Sequence, residues 1–156
     1  NLGTCGGIEG ETELFDVILV NRTVIYDIKD AMGDSKESIA DYSTDIELSW
    51  LGEKYPQKIR KYLMVSADRD LMLDEIEQLK KEYGAVAGDW ESGAIAYVAG
   101  RNKVKLLILR EVSDIVSSKK GEAYGNFDLF VQRAEKVMTD LLKVLPEWIT
   151  LMDSLI

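Results

Sequence analysis

The sequence predicts an α/β domain of three layers, with helices on both faces of a largely parallel central sheet, and three observations carry that expectation. Short apolar, β-branched runs alternate along the chain with stretches of helical period. The run Val104-Lys105-Leu106-Leu107-Ile108-Leu109 reads as a buried strand, and the stripe opening at Phe127 reads as a long amphipathic helix. With 156 residues and neither internal repeats nor low-complexity blocks, the chain predicts one domain over 1–156 with a core of its own.

The elements follow in order. Asn1 to Gly7 reads as the end of a strand with a glycine-rich turn, so a preceding segment is expected. After turn residues from Gly10 to Phe15, Val17-Ile18-Leu19-Val20 through Val24-Ile25-Tyr26 predicts a long strand. Residues 29–45, rich in Asp, Ser and Gly, lack a steady period and predict an irregular excursion. A helix is expected from about Tyr42 to Trp50, and a short one after Pro56. Tyr62 to Ser66 predicts a buried strand. Leu71, Leu73, Ile76, Leu79 and Tyr83 recur at roughly helical spacing and stop at Gly84.

The small-residue run Ala85-Val86-Ala87-Gly88 leads to Glu91 and a slim helix from Ala94 to Val98, and Lys105 to Arg110 predicts the next strand. Asn126 is a good N-cap for the last helix, whose stripe is Phe127, Phe130, Val131, Ala134, Val137, Met138, Leu141, Leu142 and Leu145. Pro146 is expected to break or restart it.

Composition narrows the function. A net charge of −9 without a basic cluster argues against a nucleic-acid partner, because neutralising phosphates needs Lys and Arg gathered on one surface. No apolar run approaches the roughly 18–20 residues of a membrane span, and no signal-peptide pattern is present, so a cytoplasmic protein without a membrane partner is expected. One cysteine, Cys5, and no histidine leave no plausible zinc cluster and no His-assisted nucleophile. Neither metal nor cofactor is expected. Acid–base chemistry falls to carboxylates, Lys or Tyr. Asn21-Arg22-Thr23 fits a glycosylation sequon but lies within a predicted strand.

Two carboxylates stand out. Glu91 opens a helix after one strand and Asp114 follows the run ending at Leu109, so both are expected at the carboxyl edge of the sheet, where open α/β folds bind ligands. Taken singly, Glu91 also fits a first-turn acid at a helix dipole and Asp114 a cap for the next segment. The glycine-rich start lacks the Gly-x-Gly-x-x-Gly spacing of a dinucleotide site.

Four segments in order, Gly3-Thr4-Cys5-Gly6-Gly7, Val65-Ser66-Ala67-Asp68, Asp89-Trp90-Glu91-Ser92-Gly93-Ala94 and Arg110-Glu111-Val112-Ser113-Asp114, resemble the purine nucleoside phosphorylase and nucleosidase superfamily, most closely methylthioadenosine/S-adenosylhomocysteine nucleosidases. The resemblance implies hydrolysis of an adenine nucleoside's N-glycosidic bond. Asp114 then matches the acid that protonates the leaving base, and Glu91 the carboxylate that accepts hydrogen bonds from ribose hydroxyls. Trp90 stands where relatives place an apolar residue against the sugar, with a core Trp as the alternative. Arg110 fits a residue that orients water or steadies Glu91, or else a structural ion pair. Thr4 fits a donor to water or ribose, or a turn hydroxyl.

Ser66, Asp68 and Leu71 match the base-site segment, although Ala67 replaces a glycine and Arg69-Asp70 stand where an aromatic residue is expected. Tyr26 and Phe127 are candidates for the sugar's 5′ side, with core packing as the alternative. Phosphorylases of the superfamily usually carry a phosphate-holding Arg at the position of Asn1, so the resemblance favours water as nucleophile; a phosphorylase and a non-catalytic nucleoside-binding or storage relative are the alternatives. It also implies a homodimer, with Ile25, Tyr26 and Ile28 as apolar surface, and an upstream acid that activates water. A chain starting at Asn1 is then expected to be poorly soluble or inactive alone.

Overall fold

The computed structural model describes residues 1–155. Six strands and four helices follow in the order β1 (Leu2–Ile8), β2 (Val17–Ile25), α1 (Ser35–Tyr42), β3 (Thr44–Asp45), β4 (Arg60–Ser66), α2 (Ile76–Tyr83), β5 (Ala87–Asp89), α3 (Ser92–Arg101), β6 (Leu109–Val116) and α4 (Phe127–Asp153). The strands form one sheet in the order β3-β2-β4-β5-β1-β6. Its two long ladders, β1 with β6 and β2 with β4, are parallel, as is the short β4–β5 pairing. The expected α/β class is thus present.

The sheet is also mixed and strongly curved. β1 pairs antiparallel with β5, and the first part of β2, Val17 to Leu19, pairs antiparallel with β6. That last pairing joins β6, at one end of the strand order, to β2, next to the other end, so the curled sheet closes on itself and β3 branches from the far half of β2. Sequence alternation specifies which face of a strand is buried, and it carries no signal for such closure.

Packing explains the elements. Cys5, Ile18, Val20, Met64, Val86, Ile108 and Val112 form one apolar cluster that Ala96 of α3 completes. Leu19, Leu51, Leu107 and Leu109 meet Val137, Leu141 and Trp148 of α4 in another. Gly93 lets α3 approach closely: a Cβ there would lie 2.5 Å from Cγ1 of Ile25 and 3.0 Å from Cβ of Ser66. α2 stops at Gly84, which takes the left-handed conformation and donates to the Lys80 carbonyl at 2.9 Å.

Several boundaries differ from expectation for identifiable reasons. The excursion at 29–45 contains α1, capped by the Asp34 carboxylate accepting from the Lys36 amide at 2.8 Å, and β3. The helix expected from Tyr42 to Trp50 is absent: α1 ends at Tyr42, and only the 3-10 turn Ser49–Leu51 follows. No helix follows Pro56; the chain enters β4 instead. α2 begins at Ile76 rather than Leu71. α4 runs unbroken through Pro146, where Pro146 and Leu142 lie on the exposed side and water can satisfy the carbonyl that the missing N–H leaves free. Its apolar stripe is buried only in part, with Phe127, Phe130, Val131 and Leu142 exposed.

β6 begins four residues later than expected and ends six later. Leu107 and Ile108 are already engaged, the first accepting from the Asn1 ammonium at 2.7 Å and the second from the Val20 amide at 3.0 Å, but the ladder extends through Arg110, Glu111, Ser113 and Asp114, all buried. Polar residues inside a strand hide it from a hydrophobicity reading.

Among these, Glu111 faces α4 near Lys136 and Asp140, and burial followed by the Asp140 charge pushes its carboxyl up to about 7 against the opposing effect of Lys136. The native state then keeps a proton that the unfolded chain releases, so stability contributed at low pH is lost as pH rises from about 4.5 through about 7. Urea unfolding across this window is expected to show Glu111→Gln removing about 1–2 kcal/mol of that decline, after allowance for solvent screening. An unchanged pH slope in the variant would contradict the assignment.

Candidate active site

A cavity of about 850 Å³ opens at the junction of β1, β5, β6 and the start of α4, and both singled-out carboxylates line it. Asp114 reaches it through a bulge. Cys5 pairs with Val112 but Gly6 pairs with Asp114, so Ser113 is an extra residue in β6 that breaks the two-residue alternation. Asp114 consequently shares the face of Gly6, whose Cβ, if present, would lie 3.9 Å from Oδ2 of Asp114. The residue sits within the strand and caps nothing, which sets aside its reading as a helix or turn cap.

Burial is the main influence on Asp114 and raises its carboxyl above the ordinary aspartate value. Ser113 Oγ donates to Asp114 Oδ1 at 2.8 Å and opposes the rise, as does the Arg133 guanidinium. Arg133 in turn donates to the Ser113 carbonyl at 3.3 Å and to Glu122 Oε2 at 2.6 Å. Glu122 Oε2 also accepts from the Ile115 amide at 3.1 Å, so the loop after β6 is fastened beside Asp114.

Behind Glu91 lies a buried polar network centred on Asp89. Its Oδ1 accepts from Ser66 Oγ at 2.7 Å and from the Ser92 amide at 3.2 Å, and its Oδ2 accepts from Ser92 Oγ and from Arg110 Nε, the latter at 2.6 Å. The Gly93 amide donates to Ser66 Oγ at 2.9 Å. Asp89 therefore satisfies the first turn of α3, and Glu91, although it occupies the cap position, makes no side-chain cap bond. Its carboxylate stays free at the cavity, 62% exposed, with Arg110 Nη2 3.5 Å from Oε2.

The remaining expected residues divide cleanly. Thr4, Trp90, Leu71 and Phe127 line the cavity with Asp114 and Glu91. Arg110 stands behind it in the buried pair with Asp89, as one of its two readings anticipates, while also reaching Glu91. Ser66 is turned inward on Asp89 and does not line the cavity; the hydroxyl it offers is the organising donor of the network. Asp68 lies outside too, exposed, with its amide donating to Asp27 Oδ2 at 3.1 Å.

Sequence reasoning missed Asp89 as the hub, as well as Tyr124 and Phe130, which also line the cavity. Asp89 carried a faint signal, being an acid that ends a run of small buried residues. Tyr124 carried none, because it belongs to an irregular loop. The one basic side chain among the lining residues is Arg69, which is paired with Glu75 at 2.8 Å.

A 5′-methylthioadenosine/S-adenosylhomocysteine nucleosidase from Thermotoga maritima is 29% identical over 143 residues, covering 90% of this chain and 64% of the relative. The chain thus spans just under two thirds of that relative's length. The apo 5′-methylthioadenosine nucleosidase of Arabidopsis thaliana superposes with a TM-score of 0.72 at 23% identity, covering 94% of this chain and 59% of the other. A Helicobacter pylori MTAN mutant with 5′-methylthioadenosine in its active site gives 0.71 at 18% identity, covering 98% and 68%. These likenesses show a shared fold. The profile of the Phosphorylase superfamily matches residues 1–145, and the chain belongs to that superfamily.

Proposed function

We propose that the protein hydrolyses the N-glycosidic bond of adenine nucleosides such as 5′-methylthioadenosine and S-adenosylhomocysteine. The observation that carries this reading is a cavity whose lining brings together Asp114, buried and raised, and Glu91, largely exposed, two carboxyl groups in unlike settings. Cleaving the bond to a purine leaves an electron-rich base that needs a proton and a sugar that gains positive charge. In this reading Asp114 gives its proton to N7 of the base, the C1′–N9 electron pair leaves with the base, and water adds at C1′, releasing a proton to solvent from which Asp114 is reprotonated. A raised carboxyl suits that role because it keeps its proton at a pH where a free Asp has lost it.

Glu91 accepts hydrogen bonds from the ribose hydroxyls and its charge favours the oxocarbenium-like sugar. Arg110 positions Glu91 from behind, Thr4 and Trp90 contact the sugar, Phe127 flanks its 5′ side, and Leu71 borders the base. Water is favoured over phosphate because Arg69, the basic lining residue, is already paired with Glu75, and a phosphate dianion needs a free cation. The same proposal includes a cytoplasmic setting, methionine salvage and a homodimer meeting through Ile25, Tyr26 and Ile28, half-buried apolar residues at and after the end of β2.

The direct test is adenine release from 5′-methylthioadenosine in phosphate-free buffer; release that requires phosphate and yields a sugar 1-phosphate would replace hydrolysis by phosphorolysis. Asp114→Asn is expected to lower kcat about 10²–10⁴-fold while leaving nucleoside affinity nearly intact. Glu91→Gln is expected to weaken both, and to narrow the preference for ribosides over 2′-deoxyribosides. Near-normal turnover in Asp114→Asn would remove it as the acid.

The rate is also expected to fall as pH rises through the Asp114 ionisation. Ser113 favours the charged form, so Ser113→Ala should raise the Asp114 pKa and move the alkaline limb of kcat/KM to higher pH. An alkaline limb that stays fixed, or moves down, would disconnect that limb from Asp114.

A further inference from the structure

We propose that Tyr124 is the ring on which the nucleobase stacks, supplied by the loop after β6 because the segment after β4 presents Arg69 and Asp70 to the cavity. This rests on the nucleoside-cleavage reading above. A purine is a flat, largely apolar plate, and its binding gains most from an aromatic face fixed beside it. The acid that protonates the base must touch it, so the stacking ring has to lie near Asp114.

Of the aromatic residues at the cavity, Tyr26 has the Arg69 guanidinium 5.4 Å from its ring centroid. Trp90 adjoins Glu91, Phe127 is 74% exposed, and Phe130, one turn along α4, has no polar group to tether its ring. Tyr124 is held differently. Its hydroxyl donates to the Leu71 carbonyl at 2.6 Å, linking the loop after β6 to the segment after β4 across the cavity. One side of its ring rests on Gly121, where a Cβ would come within 2.6 Å of the ring's Cγ, and the ring lines the cavity.

The loop that carries this ring is itself anchored. The Glu122 amide donates to the Ile115 carbonyl at 3.0 Å, the Ile115 amide donates back to the Glu122 carboxylate, and Arg133 holds that carboxylate. The ring is therefore fixed relative to the residue next to Asp114. Burial, then the charges of Asp70 and Asp114, push the Tyr124 hydroxyl well above the ordinary tyrosine value, so it remains a neutral donor to Leu71 across the working pH range. An immobilised ring loses little freedom when a base stacks on it.

The test compares the two halves of the substrate. Equilibrium binding of adenine and of 5-methylthioribose would be measured for the wild-type chain, Tyr124→Phe and Tyr124→Ala. Stacking is worth about 1–3 kcal/mol per base, so Tyr124→Ala is expected to weaken adenine binding about 5- to 150-fold and leave 5-methylthioribose within about 2-fold. Tyr124→Phe keeps the ring but loses the tether to Leu71, and should fall between wild type and Tyr124→Ala for adenine alone. Unchanged adenine affinity in Tyr124→Ala would overturn the stacking role while leaving the nucleoside reading in place. Equal weakening of both ligands would reduce Tyr124 to a structural tether and also overturn it. Failure of the wild-type chain to bind adenine would overturn the nucleoside reading, and the stacking role with it.

Discussion

The buried pair of Arg110 and Asp89 is the interaction on which the rest of the site depends. Both side chains are almost fully removed from solvent, 4% and 2% exposed, in a setting where removing water from two charges is costly. The arrangement is stable because the lone pairs of Asp89 are engaged: Ser66 from β4, the backbone and side chain of Ser92 from α3, and Arg110 from β6 all converge on it. One carboxylate on β5 thus joins its neighbour β4, the more distant β6 across β1, and helix α3. The close approach at Gly93 and the amide it donates to Ser66 complete the junction.

Two consequences reach the cavity. With Asp89 serving the first turn of α3, Glu91 is released from capping and presents its carboxylate to the cavity, within reach of Arg110. On the other side, the extra residue Ser113 turns Asp114 to the same cavity, and burial there keeps its carboxyl raised. The two carboxyl groups belong to the same residue class, but their surroundings suit them to different work. Chemistry follows here from backbone register and solvation rather than from residue identity alone.

Much of this was legible in the sequence and some of it was not. β2 and β4 announced themselves through β-branched apolar runs, α2 through its stop at Gly84, and α4 through the Asn126 cap, whose Oδ1 accepts from the Leu129 amide at 3.2 Å. The positions of Glu91 and Asp114 after strand-like runs predict the carboxyl edge of the sheet, and both line one cavity in the structure. The shift of β6 was hidden because Arg110, Glu111, Ser113 and Asp114 make it largely polar, and the bulge at Ser113 has no compositional mark. Ser66 looked like a ligand contact since a hydroxyl at a strand end is ambiguous until its partner is known; that partner, Asp89, lies 23 residues away. The closure of the sheet through β2 and β6 likewise depends on pairing between distant segments, which local pattern does not encode.

If the Asp89 hub governs both the junction and the pose of Glu91, the two partners must be energetically coupled. The most direct measurement is a double-mutant cycle with Arg110→Met, Asp89→Asn and the double variant, read in unfolding free energy and in adenine-nucleoside affinity. Each single change should destabilise by about 3–5 kcal/mol, because it strands a buried charge or leaves its donors unpaired, and the double variant should lose clearly less than the sum. Affinity should be non-additive in the same sense. Strictly additive losses in both readouts, or wild-type nucleoside affinity in a folded Arg110→Met protein, would contradict the account.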